Sequence, residues 1–252
     1  MRSLSAGLTH VGLKRSHNED FYFCDDRLGL YIVADGVGGH AKGEVASREA
    51  AEEVVVWMRR HGLEIDERLA RGGPDDIFAV RRLVESAVQN ACYMIFAMAE
   101  QDPEKYGMST TMSALLVRAG HAFVAQVGDS RVYRLRDGTL EQITEDHTLV
   151  NYRLKQGLIT QEEARTSNAK NVITRAVGHK DYVQVDTFAA EASTGDRYFL
   201  CTDGFHGYTP PDDDVREIVG TASLEAGVRR AIELANQLGG RDNVTAVIVR
   251  IL

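Results

Sequence analysis

The sequence predicts an α+β fold: two mainly antiparallel β-sheets packed face to face, with α-helices flanking them on both sides in an α-β-β-α arrangement, within one domain over 1–252. Three observations lead there. Apolar segments of strand and helix length follow the order strand–helix–many strands–helix–strand. Two-residue turn signals separate neighbouring strand segments, as in antiparallel hairpins. Several of those segments are apolar almost without interruption, as strands buried on both faces are. The 252 residues are 44% apolar, enough for a sizeable core, and no repeat, low-complexity tract or long linker divides them.

Taken in order, FYFCDD (21–26) and LGLYIVAD (28–35) predict a strand pair about an Asp25-Asp26-Arg27 turn. From 44 to 61 the period is helical, with Val45, Ala46, Ala50, Val54 and Trp57 on one stripe. Gly72-Gly73-Pro74 breaks the chain, and a longer helix follows over 77–101 through Val80, Val84, Ala87, Ala91 and Ile95. The middle is strand-rich: 111–118, 121–129, 131–135 and 139–144, with turns at Ala119-Gly120 and Asp137-Gly138. Residues 146–178 are polar, with short helical pieces, and read as an insertion over a surface. Strands return at 182–188 and 196–202, then helices at 213–219 and 223–238, and a last strand at 243–252. Asp212–Asp214 reads as an exposed acidic helix start that complements the helix dipole.

Composition removes several function classes. Lys and Arg number 29 against 37 Asp and Glu, a net charge of −8, which opposes a nucleic-acid partner because phosphate backbones attract basic surfaces. The longest apolar stretch, about Tyr93–Ala99, falls far short of the roughly 20 residues that span a bilayer. MRSLSAGLTHVGLKR has no apolar signal-peptide core. Cys24, Cys92 and Cys201 are widely spaced, without CxxC, and read as reduced thiols of a cytoplasmic protein.

Aspartates recur at one kind of place, the end of an apolar strand. Asp35-Gly36 ends LYIVAD, Asp129-Ser130 ends FVAQVGD, Asp203-Gly204 ends RYFLCTD, Asp242-Asn243 precedes VTAVIVRI, and Asp20 begins a strand after RSHNE. Each alone reads as a turn. If the strands are neighbours, however, five carboxylates converge, and their repulsion needs protons or cations. Oxygen donors without a His or Cys pattern favour the hard ions Mg²⁺ or Mn²⁺ over zinc. Arg15, five residues before Asp20, reads by itself as a surface cation.

RSHNED (15–20), VADGVGGH (33–40), GMSTT (107–111), VGDSR (127–131), TEDHT (144–148), NVITRAVG (171–178), CTDG (201–204) and GGRDN (239–243) occur in the order seen in the metal-dependent protein phosphatases. The chain thus resembles this PPM, or type-2C serine/threonine phosphatase, family along nearly its whole length, and most of all its bacterial single-domain members. The resemblance implies a PPM-type β-sandwich with a two-metal centre at one end. By motif position, Asp35 bridges both metals, the Gly36 carbonyl binds the second, and Asp203 and Asp242 bind the first. Asp20, with Glu19, holds metal-bound water; Asp129 is associated with a third ion; Arg15 grips the substrate phosphate. The implied reaction is attack of a metal-activated water on phosphoserine or phosphothreonine in proteins, with Asp35, Asp203, Asp242 and Arg15 carrying catalysis. The substrates would be phosphoproteins made by a serine/threonine kinase.

Two positions depart from the family pattern. Many eukaryotic members have a histidine directly after the Asp-Gly pair, proposed to protonate the leaving group; here Val37 stands there, and His40 three residues on is either a distant substitute or a solvated loop histidine. The acidic residue that family members often carry four after Asp203 is Gly207 here, so a third ion is expected to bind weakly. Segment 146–178 takes the place of the family's flap and reads as a substrate-contacting surface or as a solvated loop. Two rival functions are a PPM-shaped pseudophosphatase that only binds, which retention of Asp20, Asp35, Asp203 and Asp242 opposes, and a two-metal phosphoesterase acting on a small molecule.

Overall fold

The computed structural model describes residues 2–37, 42–208 and 213–252. The chain runs through β1 (Ser3–His10), β2 (Asp20–Asp25), β3 (Leu30–Val37), α1 (Gly43–Arg60), α2 (Gly62–Arg71), α3 (Pro74–Gln101), β4 (Ser109–Thr110), β5 (Met112–Arg118) and β6 (His121–Val127). It continues with β7 (Arg131–Arg136), β8 (Thr139–Gln142), α4 (Leu149–Lys155), α5 (Gln161–Thr166), β9 (Asp186–Glu191), β10 (Arg197–Cys201), α6 (Asp203–His206), α7 (Asp213–Gly220), α8 (Leu224–Gln237) and β11 (Val244–Ile251). One sheet has the order β1-β11-β10-β7-β8; the other has β2-β3-β5-β6-β9, with β4 paired to β3. Every pairing is antiparallel.

The continuous apolar runs have a simple cause: each central strand is buried on both faces. Side chains alternate across a strand. In β3, Tyr31 and Val33 point between the sheets while Leu30 and Ile32 point at α1 and α3. In β11, Val247, Val249 and Ile251 fill the same inter-sheet layer while Val244, Ala246 and Ile248 meet α7 and α8. Two helix-to-sheet layers and one sheet-to-sheet layer result. The hairpin turns have the expected chemistry. Ala119 and Gly120, and again Asp137 and Gly138, all have positive φ, the conformation that matches the twist of tightly connected strands.

The structure corrects several sequence-based boundaries. Ser3–His10 is a strand that the N-terminal reading did not expect; its alternation of Leu4, Ala6 and Leu8 is diluted by Ser, Gly and Thr, and its stability comes from pairing with β11. Residues 62–71 form a separate helix, α2, ended by Gly72 in the left-handed conformation, where the sequence suggested only a break. The strand expected at 182–188 lies at Asp186–Glu191, set by pairing with β6 rather than by its own apolar content. The strand expected to end at Asp35 continues to Val37 through pairing with β4. Of the acidic helix start, Asp213 and Asp214 open α7 and are exposed, while Asp212 lies outside the described residues.

Cys24, Cys92 and Cys201 form no disulfide with one another, Cys92 and Cys201 are buried, and no helix among the described residues is long and apolar enough to cross a membrane. Leu200, fully buried on β10, sits in the inter-sheet layer with Tyr31, Leu115 and Val247. Leu200→Ala is expected to lower unfolding free energy by about 2–5 kcal/mol, as large-to-small changes in a closed core do. Urea denaturation measures this, and a loss below about 1 kcal/mol would show that the layer is not tightly packed.

Candidate active site

At one end of the sandwich the inter-sheet layer turns polar. The row through Tyr31 and Val33 continues to Asp35, and that through Tyr22 and Cys24 begins at Asp20. Likewise Leu115 gives way to Ser113, Val124 to Gln126, Leu200 to Thr202 and Val247 to Thr245. Asp20 and Asp35 are direct partners across β2 and β3. Asp203 starts α6 just beyond β10, Asp242 precedes β11, and Asp129 follows the Gly128 turn after β6. Both sheets therefore deliver carboxylates to the same end.

Asp20 is buried and held from one side. Its Oδ2 accepts hydrogen bonds from the hydroxyls of Thr202 (2.8 Å) and Thr245 (2.7 Å). Because the Thr245 proton is used on Asp20, its 2.7 Å contact with Thr9 has Thr9 donating, and Asn18 Nδ2 in turn donates to Thr9 at 2.9 Å. Asp20 Oδ1 is buried with no hydrogen-bond partner. Asp35 is framed by its backbone: its N–H donates to the Thr111 hydroxyl (3.0 Å), and its carbonyl accepts from Thr111 N–H and the Thr110 hydroxyl, both at 2.8 Å. A Cβ at Gly36 would stand 2.3 Å from the Gly43 carbonyl and 2.7 Å from that of Glu19, so only glycine permits this packing.

A cavity of about 330 Å³ opens on these groups, lined by Arg15, Glu19, Asp35, Gly36, Val37, Thr111, Asp129, Asn171, Ile173, Asp203, Asp242 and Asn243. Arg15 Nη2 donates to Asp242 Oδ2 at 2.8 Å, which raises the affinity of the guanidinium for its proton. A second cleft, about 460 Å³, runs alongside beneath α4 and α5 and shares Asp129, Asn171 and Asp203. His206 is at its wall: Nε2–H donates to the Asp129 carbonyl (2.9 Å), and burial with the Arg131 charge pushes the ring down to about 3, keeping it neutral.

The electrostatics are those of anions crowded away from water. Burial, with the charges of Asp203 and Asp242 added, lifts Asp20 to about 7 against the two threonine hydroxyls. Burial and the charges of Asp203 and Asp146 lift Asp129 to about 7. Burial and Asp242 lift Asp203 to about 6. Asp35, facing four other carboxylates, is pushed well above the ordinary carboxylate range, first by burial. The Asp203 charge is among those that raise it, and carboxyls crowded in this way need protons or cations between them. Burial and Glu44 also raise Glu19.

Among the described residues no three Asp, Glu, His or Cys side chains already stand as a metal-binding cluster. The donor chemistry nevertheless fits hard divalent ions: oxygen ligands only, a surplus of negative charge, and one buried carboxylate oxygen without a partner.

Of the residues singled out by sequence, Arg15, Glu19, Asp35, Gly36, Asp129, Asp203 and Asp242 line one cavity, and Asp20 lies behind it against Asp35. Val37 lies on the cavity wall, Gly207 on the neighbouring cleft, and His40 lies outside the described residues. Sequence reasoning gave no role to Thr202, Thr245, Thr111 or Asn243. Their signal was parity: polar residues continuing an inward-facing apolar row at the carboxylate end.

The family model described as Protein phosphatase 2C matches residues 7–239. The serine/threonine protein phosphatase PstP of Mycobacterium tuberculosis is 38% identical over 242 residues, 96% of this chain, and the chain spans only 43% of that relative's length. The serine/threonine phosphatase stp of Listeria monocytogenes is 33% identical over 245 residues, covering 96% of this chain and 93% of the relative. The crystal structure of M. tuberculosis PstP superposes with a TM-score of 0.87 at 34% identity, over 100% of this chain and 99% of that one. A second PstP catalytic-domain structure, in complex with two manganese ions, superposes at 0.81 with 34% identity, over 99% and 98%. Sequence, sheet order and site geometry agree: the chain belongs to the protein phosphatase 2C family.

Proposed function

We propose that this chain is a metal-dependent protein serine/threonine phosphatase that hydrolyses phosphoserine and phosphothreonine in phosphoproteins with Mg²⁺ or Mn²⁺. The observation that carries the reading is the convergence of Asp35, Asp129, Asp203 and Asp242 from both sheets on one open cavity, with Asp20 behind Asp35 and Arg15 at the rim. Family membership and the manganese in PstP support it.

In this reading Asp35, Asp203 and Asp242, with the Gly36 carbonyl, hold the two core ions. When bound, such a pair supplies Lewis acidity, acidifying water near neutral pH and neutralising phosphoryl charge. Asp20 is fixed through Oδ2, so its free Oδ1 faces no competitor and orients water, with Glu19 beside it. Asp129 with Asp203 takes a weaker third ion, because Gly207 adds no acid there. Arg15 grips phosphoryl oxygens with its planar fork. Val37 has no proton to give a leaving group.

The open cavity and the adjoining cleft suit a protein segment better than a small metabolite enclosed on all sides. Segment 146–178 serves as a flap: Thr148 pairs with Ile173 at its base, and Asn171 and Ile173 reach the cavity. The 252 residues act as one catalytic unit, in the cytoplasm, against a serine/threonine kinase.

Purified protein is expected to release phosphate from a phosphothreonine peptide with Mn²⁺ and to stop when a chelator is added. Asp35→Asn, which keeps shape and removes one charge, should lower turnover at least about a hundredfold, the scale of a lost electrostatic contact in a reaction centre. A folded Asp35→Asn protein with wild-type turnover would remove the metal assignment.

The raised carboxylates also give a signed pH dependence. Asp20 and Asp129 at about 7 and Asp203 at about 6 stand above the unfolded value near 4. They contribute stability that is fully present below about pH 4 and is lost as pH rises through 6–7. Metal-free protein should therefore lose thermal stability across that interval, and Mn²⁺, which needs the ionised forms, should restore it. Melting curves at pH 5 and pH 7.5 measure the Mn²⁺ increment, and a larger increment at pH 5 would contradict this account.

A further inference from the structure

Arg15 sits in a stretch, residues 11–19, that joins β1 to β2 without regular structure and is exposed from Leu13 to His17. A guanidinium on such a loop grips phosphate well only if the loop itself is held, because each freely moving backbone residue dilutes the bound geometry. One side chain far along the chain holds it. Asn243 Nδ2 donates to the carbonyls of Val11 (3.0 Å) and His17 (2.8 Å), and its Oδ1 accepts from Glu19 N–H (2.8 Å). These three partners bracket Arg15 on both sides. Both amide protons and the carbonyl are used, and the residue is buried at 5% exposure.

The same residue touches the other half of the site. Asn243 N–H donates to Asp242 Oδ1 at 2.9 Å, while Arg15 holds Asp242 Oδ2. The loop lies hard against this corner: Gly12 has φ +80, and a Cβ there would be 2.2 Å from the Asp242 carbonyl. No other common side chain of this size supplies two donors and one acceptor. Asp lacks the donors, Leu lacks all three, and Gln is one methylene too long.

We propose that Asn243 is a positioning residue for phosphate recognition: its carboxamide closes the 11–19 loop so that Arg15 meets the substrate phosphate. The proposal rests on the reading of Arg15 as the phosphate-gripping residue.

The test is a double-mutant cycle on Mn²⁺-loaded protein, with inorganic phosphate as the probe by calorimetry and a phosphopeptide for kinetics. Wild type, Arg15→Ala, Asn243→Ala and the double variant are compared. Asn243→Ala should weaken phosphate binding about tenfold and raise KM more than it lowers kcat. In the Arg15→Ala background the same change should add less than about twofold, because it acts through a guanidinium that is gone. Mn²⁺ affinity, measured separately, should stay within about threefold, since the Asn243 backbone still holds Asp242. If Asn243→Ala melts below the assay temperature, Asn243→Ser carries the same comparison. Equal effects of the Asn243 change with and without Arg15, or unchanged phosphate binding, would overturn the proposal while leaving the Arg15 reading intact. Unchanged phosphate binding in Arg15→Ala would overturn both.

Discussion

Negative charge gathered where an apolar sandwich ends governs this molecule. Asp20, Asp35, Asp129 and Asp203 are all pushed above the ordinary carboxylate range, each with burial as the leading cause and with the charge of at least one neighbouring aspartate, Asp242 in the case of Asp203, adding to it. Anions so placed are stable only with protons or with cations, and near neutral pH protons become scarce. The fold therefore builds a concentration of negative charge that calls for protons or cations. The sheets keep it from relaxing, because strand pairing fixes Asp20 opposite Asp35 and a carboxylate on a strand cannot swing away as one on a loop can.

The layer pattern explains how one scaffold holds both an oily core and this centre. Alternation sends every second residue of the central strands into the inter-sheet space. Over most of the strand length those residues are Tyr, Val, Leu and Ile, and at one end they become Ser, Gln, Thr and Asp. The transition is graded, since uncharged Thr202 and Thr245 stand between the apolar layer and Asp20 and satisfy one of its oxygens. A hydroxyl layer of this kind lets a carboxylate be buried without an unpaired partner on its protein side, leaving its unsatisfied oxygen for a ligand.

Much of this was legible in the sequence, for physical reasons. The two-sided burial of β3, β5, β6 and β11 wrote itself as nearly continuous apolar runs, and the aspartates stood out because each lay at one end of an apolar strand. Where an element depends on a remote partner, legibility failed. β1 is a strand because β11, more than 200 residues later, offers it an edge. β9 sits where β6 pairs with it, past the more apolar stretch that sequence favoured. Asn243 and the two threonines looked like ordinary residues within motifs, because their partners lie 182 to 232 positions away in sequence. The convergence of carboxylates itself could only be stated conditionally until strand neighbours were known.

Asp242 shows why the two halves of the site cannot be independent. Its Oδ2 is bonded to Arg15, the residue proposed to grip phosphate, and its Oδ1 to the backbone of Asn243. A cation drawn to this carboxylate competes with the guanidinium for the same negative charge, and a guanidinium partly released from its ion pair gains capacity for a dianionic phosphate. In the proposed reading a metal ion held by Asp242 would leave the Arg15 guanidinium available to the substrate phosphate. Linkage would make this reciprocal, so that phosphate bound by Arg15, as proposed, would favour metal at Asp242 by the same free energy. That coupling requires Arg15 to stay within reach of both partners as it changes them, a condition met by a loop tied at Val11, His17 and Glu19 to the residue beside Asp242.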